Sequence, residues 1–283
     1  MALNNFIPEV WAARLEVNLR KAQVFAQPGI VNRNYEGDIR NAGDVVRINS
    51  IGAVTISDYT KNSNLSAPQT LTDAQTTLII DQAKSFNFQI DDVDAAQQTP
   101  KVMDEAMREA AYALSDTADQ LIAGRYVDVP SDNSYGTEAS PKTGFVASNV
   151  YEYLVELAVI LDQNNVPRMD RWVIVPPFVH GYLLKDDRFV GAGAPQGPLL
   201  NGQVGQAAGF TVLVSNNVQY TTSTTCYKVL AGTPMAITFA EQVRKVEGYR
   251  PELRFADAVK GLHLYGAKVV RPEALAMLVI NKT

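Results

Sequence analysis

Few residues in this chain could carry out chemistry, and their spacing works against it. The only histidines are His180 and His263. A serine hydrolase needs one of them beside a nucleophile on a sharp strand-to-helix elbow, and no GxSxG pattern occurs. Both therefore read as structural histidines. The stretch GAGAPQG at 191–197 has the glycine content of a phosphate-cradling loop, but Pro195 and Pro198 interrupt the helix that should follow and no GK[ST] is present. It reads as a loop. Asp91, Asp92 and Asp94 offer hard oxygen ligands suited to calcium or magnesium. A calcium loop starting at Asp92 would need glycine where Gln97 stands and glutamate where Met103 stands, so these carboxylates are assigned to a junction between a strand and a helix. No catalytic, cofactor-binding or metal-binding site is expected.

Composition narrows the classes further. A chain of 283 residues with 46% hydrophobic and 19% charged content can bury a sizeable core in one large or two smaller domains. A formal net charge of -5 argues against a dedicated nucleic-acid binder, which concentrates Lys and Arg. The single cysteine, Cys226, excludes an intramolecular disulfide and a thiolate-rich metal site, in keeping with a reducing compartment. MALNNFIPEVW lacks the pattern of a signal peptide, and the longest clean apolar run, 274–280, is far short of the roughly 20 residues that span a bilayer. No membrane association is expected, and the sequons at Asn64 and Asn281 read as accidental.

The informative region is 43–90. Its first run, GDVVRINSIGAVTIS, places Val46, Ile48, Val54 and Ile56 in period-two alternation; the second, TTLIIDQAKSFNFQI, does the same with Phe86, Phe88 and Ile90. Both predict strands. Between them DYTKNSNLSAPQTLTDAQ carries turn formers and hydroxyls, with only Tyr59, Leu65 and Leu71 as sizeable apolar groups. A lone hairpin is marginal in water, so such an arm should be supported by another copy of the chain.

Beyond it, Thr99 and Pro100 open a helical pattern with Met103, Met107, Ala110, Leu114, Ala118 and Leu121 on one face, ending near Gly124. Glu105, Arg108, Glu109, Asp116 and Asp119 fall off that stripe and are expected in solvent or against other subunits. After a loop at 130–144, Asn149 and Glu152 form a capping-box pattern for a second helix bearing Tyr151, Leu154, Val155, Ala158 and Leu161. RWVIVPP reads as a buried strand stopped by Pro176 and Pro177, followed by a short helix. TVLVSNNV, YKVLAG, MAITFA and LHLYGAKVVRPEALAMLVI supply further strands, making the last third largely β. The fold class is α+β.

This order of parts resembles the major capsid proteins of tailed bacteriophages with the Hong Kong 97-type fold, nearly end to end. The phrases that carry the resemblance are FIPEVWAARL, NRNYEGDIRNAGDVVRI, the long helix, WVIVPPFVHGYLLKDDRFV and NGQVGQAAGFTVLVSNNV. It implies an N-terminal arm over 1–42, an extended β-hairpin loop over 43–92, a peripheral domain with a spine helix over 93–142 and 241–283, and an axial domain over 143–240. The family closes into hexamers and pentamers that tile an icosahedral shell, so the chain is expected to be a non-enzymatic major capsid protein, assembled in the host cytoplasm into the virion around double-stranded DNA. Tyr59, Lys61, Leu65 and Leu71 would make inter-subunit contacts at the loop tip, and Gly191, Gly193 and Gly197 symmetric contacts near the capsomer centre. Some relatives crosslink a lysine in this loop to an asparagine of another subunit; for Lys61 noncovalent docking is expected. The family's arm is often internal, which would turn Arg14, Arg20 and Lys21 toward DNA or scaffold. The residues themselves favour a solvated helix face beside Trp11, Leu15, Leu19 and Ala22, with any DNA contact weak and nonspecific. Since FIPEVW begins almost at Met1, a separate scaffolding protein, or none, is expected; portal and decoration proteins are further partners the resemblance allows. Alternatives are an encapsulin-like nanocompartment shell around protein cargo, or a small-molecule enzyme or binding module with an unusual hairpin.

Overall fold

The structure is a computed structural model, and it describes residues 24–35, 45–51, 73–91, 102–144, 146–185, 203–223 and 225–282, with positions 54, 56, 58, 61, 64 and 70. The elements, in chain order, are β1 (Val45–Ile51), β2 (Asp73–Ile79), β3 (Gln82–Asp91), α1 (Val102–Ala123), β4 (Ser134–Tyr135), α2 (Ala147–Gln163), β5 (Trp172–Val175), α3 (Pro177–Leu183), β6 (Gln203–Ala207), β7 (Phe210–Val214), β8 (Tyr220–Thr221), β9 (Cys226–Gly232), β10 (Ile237–Tyr249), β11 (Ala256–Val269) and β12 (Leu275–Asn281). Among the described residues there are also three short 3-10 turns, one of them (Gly124–Asp128) continuing α1.

The largest sheet runs β4-β12-β9-β5-β7-β6, with β8 beside β9. β5 lies inside it, parallel to β7 and antiparallel to β9, and all four of its residues are buried. A strand flanked on both edges and covered on both faces has no solvent side, which is why WVIV is continuously apolar rather than alternating. α2 covers this sheet with Val150, Leu154, Leu157 and Leu161, a stripe at three- and four-residue steps. Val155, placed on that stripe by the sequence, is instead exposed. The helix also starts earlier than its capping pattern suggests. Asn149 sits within the first turn, where its Oδ1 accepts the Val146 N–H (3.0 Å) and its Nδ2 donates to the Gly144 carbonyl (2.8 Å). It ends at Asn164, with Asn165 in the left-handed region (φ 56°) and the Val166 N–H returning to the Leu161 carbonyl (3.0 Å).

The second sheet runs β10-β11-β3, all antiparallel. α1, about 33 Å long at 1.5 Å per residue, crosses it. Met107, Ala111 and Leu114 pack on Val246, Val259, Phe86 and Phe88, while Ala118, Ile122 and Ala123 enter the main core. The helix thus ties the two sheets together. Where Phe86 faces Gly261 across β3 and β11, a Cβ on the glycine would lie 2.3 Å from the phenyl Cε1; the ring occupies the space the glycine leaves.

Two expectations need correction. The run TTLIIDQAKSFNFQI is not one strand: it breaks at Ile80 and Asp81, where the chain leaves the β1–β2 ladder and joins β11. Asp119, assigned to the solvent face of α1, is only 3% exposed because residues 24–26 dock over it. That docking also shows that part of the 1–42 segment belongs to the body: Phe25, Ile30 and Val31 are buried in the main core, and Asn32 bridges to Thr238 on β10. The stretch 241–283 divides between sheets, with β11 in the three-stranded sheet and β12 beside β9 in the large one.

Candidate assembly surfaces

The hairpin of β1 and β2 is antiparallel, with Val45 opposite Ile79 and Ile51 opposite Asp73, and forms a two-stranded sheet of its own. Seven residues per strand carry it roughly 23 Å from its base. Its root is well held. Leu78 and Ile80 are buried with Ala240 and Leu264, and Val46, Ile48 and Leu262 pack around them. This cluster covers the sheet face opposite α1 at one end. A close backbone approach makes it possible: a Cβ on Gly266 would meet the Ile79 carbonyl at 2.5 Å and Ile80 Cα at 3.1 Å, so only glycine lets β11 pass there. Beyond the root, Val54 is 65% and Ile56 94% exposed, and Lys61 is exposed. Both apolar side chains are thus largely open to solvent. Of the other loop-tip contacts expected, Tyr59, Leu65 and Leu71 lie outside the described residues, as do the basic Arg14, Arg20 and Lys21 and the axial-loop Gly191, Gly193 and Gly197.

The sequence reading missed a second surface. The turn between β10 and β11 carries Leu253 (96% exposed) and Phe255 (84%), flanked by an ion pair between Arg250 Nε and Asp257 Oδ1 at 3.1 Å. A signal was available: YRPELRF places two large apolar residues and a proline between two long strands, where a turn normally carries small polar groups.

The chemical candidates come out as isolated groups. His180 lies on α3, where burial lowers its pKa, and among the described residues its Nε2 has no hydrogen-bond partner. His263 is fully buried in β11. Glu241 Oε2 stands 3.3 Å from its Nε2, and among the described residues neither ring nitrogen has a hydrogen-bond partner. Burial, reinforced by the charge of Arg33, lowers its pKa to about 4. Arg33 also pairs with Glu241 and lies over the Phe239 ring at 5.3 Å, pinning the segment after Asn32 to β10. Cys226 is buried. Asp91 ends β3, whereas Asp92 and Asp94 lie outside the described residues. Among the described residues no group of three His, Cys, Asp or Glu could hold a metal ion, and no helix is long and apolar enough to cross a membrane.

The comparisons agree with a shell-forming role. The model of the family described as phage capsid protein matches residues 73–278. Among solved structures, one from Mycobacterium phage Che8 is 28% identical with a TM-score of 0.70, covering 98% of each chain. The capsid structure of the Cyanophage P-SCSP1u is 19% identical with a TM-score of 0.71, covering 93% of this chain and 90% of that one. An encapsulin complex from Synechococcus elongatus is similar in fold at 11% identity and a TM-score of 0.58, covering 85% and 83%. Among curated proteins none matches this sequence.

Proposed function

The chain belongs to the phage capsid protein family, and from that premise we propose how its surfaces build a shell. It is a major capsid protein with the Hong Kong 97-type fold, its place is the virion, and its assembled form is a multimeric shell. In our reading hexamers and pentamers form first, by a heterologous contact repeated around a closing axis, and then tile an icosahedron around double-stranded DNA. The subunit works by shape rather than catalysis, and assembly takes place in the host cytoplasm. A scaffolding protein and a portal are the partners such a shell would use, with any DNA contact weak and nonspecific.

One observation carries the reading: a hairpin rooted firmly in its own body by Leu78 and Ile80 holds Val54 and Ile56 out in solvent. A rigid root aims the arm, and the open apolar groups leave it unfinished until a neighbour covers them. Tyr59, Lys61, Leu65 and Leu71 extend the same contact in this proposal, without a covalent crosslink at Lys61. The segments 1–42, 43–92, 93–142 with 241–283, and 143–240 serve as arm, loop, peripheral and axial parts, with β12 lending its edge to the axial sheet. Stable contacts of this kind bury on the order of 1,600 Å² each.

The test is electron microscopy and sedimentation of the expressed full chain beside a variant in which residues 54–70 are replaced by a short Asn-Gly turn. Closed shells are expected from the full chain, and folded, soluble, unassembled subunits from the variant. Discrete monomers or dimers from the full chain at high concentration would overturn the proposal. Small closed particles that carry host protein rather than nucleic acid would instead support a nanocompartment.

A further inference from the structure

Asp119 lies on α1 one turn beyond Asp116, yet its side chain is shut away from solvent by the segment that leads out of the N-terminal region. Its Oδ2 accepts the Val24 N–H at 3.0 Å and its Oδ1 the Ala26 N–H at 3.4 Å. Beside it is a polar cavity of about 210 Å³ lined by Ser115, Asp116, Asn216 and Asn217 together with Val24 and Tyr112. None of the described residues lining this cavity is a cation. Among the described residues, the groups that face Asp119 can be named element by element. On α1 they are Asp116, a like charge, and Tyr112; residues 24–26 present no titratable side chain, and residues 214–217 present only Val214, Ser215 and two asparagines. Asp116 is itself held, its Oδ1 by Asn217 Nδ2 and its Oδ2 by Gln120 Nε2, each at 2.7 Å.

A buried carboxylate with backbone donors but no cation among the described groups around it pays for its charge in lost hydration, and a neighbouring carboxylate adds to that cost. We propose that Asp119 is a proton-tightened clamp: taking up one proton on its carboxyl favours docking of residues 24–26 on α1, and giving it up loosens the attachment of the N-terminal segment.

The size of the effect follows from linkage. In the docked state burial raises the Asp119 pKa from 3.8 to about 6, against the pull of the backbone donors of residues 24–26 and with a further push from Asp116. Release into water would return the carboxyl to its ordinary value. The docked form binds the proton more tightly, so the ratio of docked to released segment should rise about tenfold between pH 7.5 and pH 5.

The test is native-state hydrogen exchange on the full-length, unassembled chain at those two pH values, with rates corrected for intrinsic exchange. Protection of the amides of Val24 and Ala26 should rise about tenfold toward pH 5 relative to those of Trp172–Val175, and the rise should vanish in Asp119→Asn. Asp116→Asn, which removes the like charge and leaves the clamp in place, should move the midpoint to lower pH. Protection that is flat or falls toward pH 5, a rise that persists in Asp119→Asn, or a midpoint unmoved by Asp116→Asn would each overturn the clamp.

Discussion

Leu78→Ala should separate the aim of the hairpin from the stability of the body. Leu78 is fully buried, but in a small cluster apart from the main core, with Ile80, Ala240 and Leu264 as its buried companions and Val46, Ile48 and Leu262 only partly covered. Core Leu→Ala changes cost about 2–5 kcal/mol, depending on how far the surroundings can collapse into the space. At this margin the partly exposed neighbours can shift inward, so the low end applies, about 2–3 kcal/mol. That loss falls on the root. By the ordinary conversion it corresponds to a roughly thirty- to 150-fold rise in opening of the β1–β2 ladder. Hydrogen exchange should therefore show the amides of Asp73–Ile79 losing protection by that factor while Trp172–Val175 keeps its own. The melting temperature should fall only slightly, and particle yield, counted by electron microscopy, should fall sharply or give way to irregular shells. If both strands lost protection equally, or if normal shells formed with a loosened root, the idea that the root aims the arm would fail.

Three shorter predictions test the packing and the buried charges. Gly261→Ala places a methyl group 2.3 Å from the Phe86 ring, which is stacked on Phe88, so it should cost about 1–3 kcal/mol in urea unfolding; Phe86→Leu in the same chain should recover part of that loss. His263 has a folded pKa of about 4 against 6.5 for the free group, so the unfolded chain binds the extra proton between those values. Its contribution to stability is present above pH 6.5 and is lost as pH falls through 4, up to about 3 kcal/mol; His263→Leu should flatten that acid limb, and an unchanged limb would refute the assignment. Asp119 acts with the opposite sign over nearly the same range, its raised pKa making the fold less stable as pH rises from 3.8 through 6. Asp119→Asn should therefore make the acid loss steeper than in the unmodified chain, measured by the same urea series.

Much of this architecture is legible along the chain because it depends on local pattern. Trp172–Val175 announces itself as a doubly covered strand by four apolar residues bounded by prolines, and α1 by its three- and four-residue steps ending at Gly124. The poverty of catalytic options is equally local: two histidines with no elbow or ligand spacing around them leave little chemistry to place. Legibility stops where a residue's surroundings come from far away in the chain. Leu78, Ile80, Phe86, Phe88 and Ile90 keep one parity on both sides of Asp81, so their alternation by itself does not mark the change of partner from β1 to β11. Asp119 carries the residue type of an exposed helix face, and only residues about ninety positions earlier make it buried.

Residue types and their order alone determined an α+β pattern with few catalytic options, since periodicity, breakers and missing catalytic spacing are properties of neighbours in sequence, while the shell role entered through resemblance to a capsid family. The tertiary structure decided where the β1–β2 hairpin is anchored, which charges are enclosed and which apolar groups, such as Ile56, Leu253 and Phe255, remain open to solvent. Burial is a sum over contacts between distant segments, and no local window contains that sum.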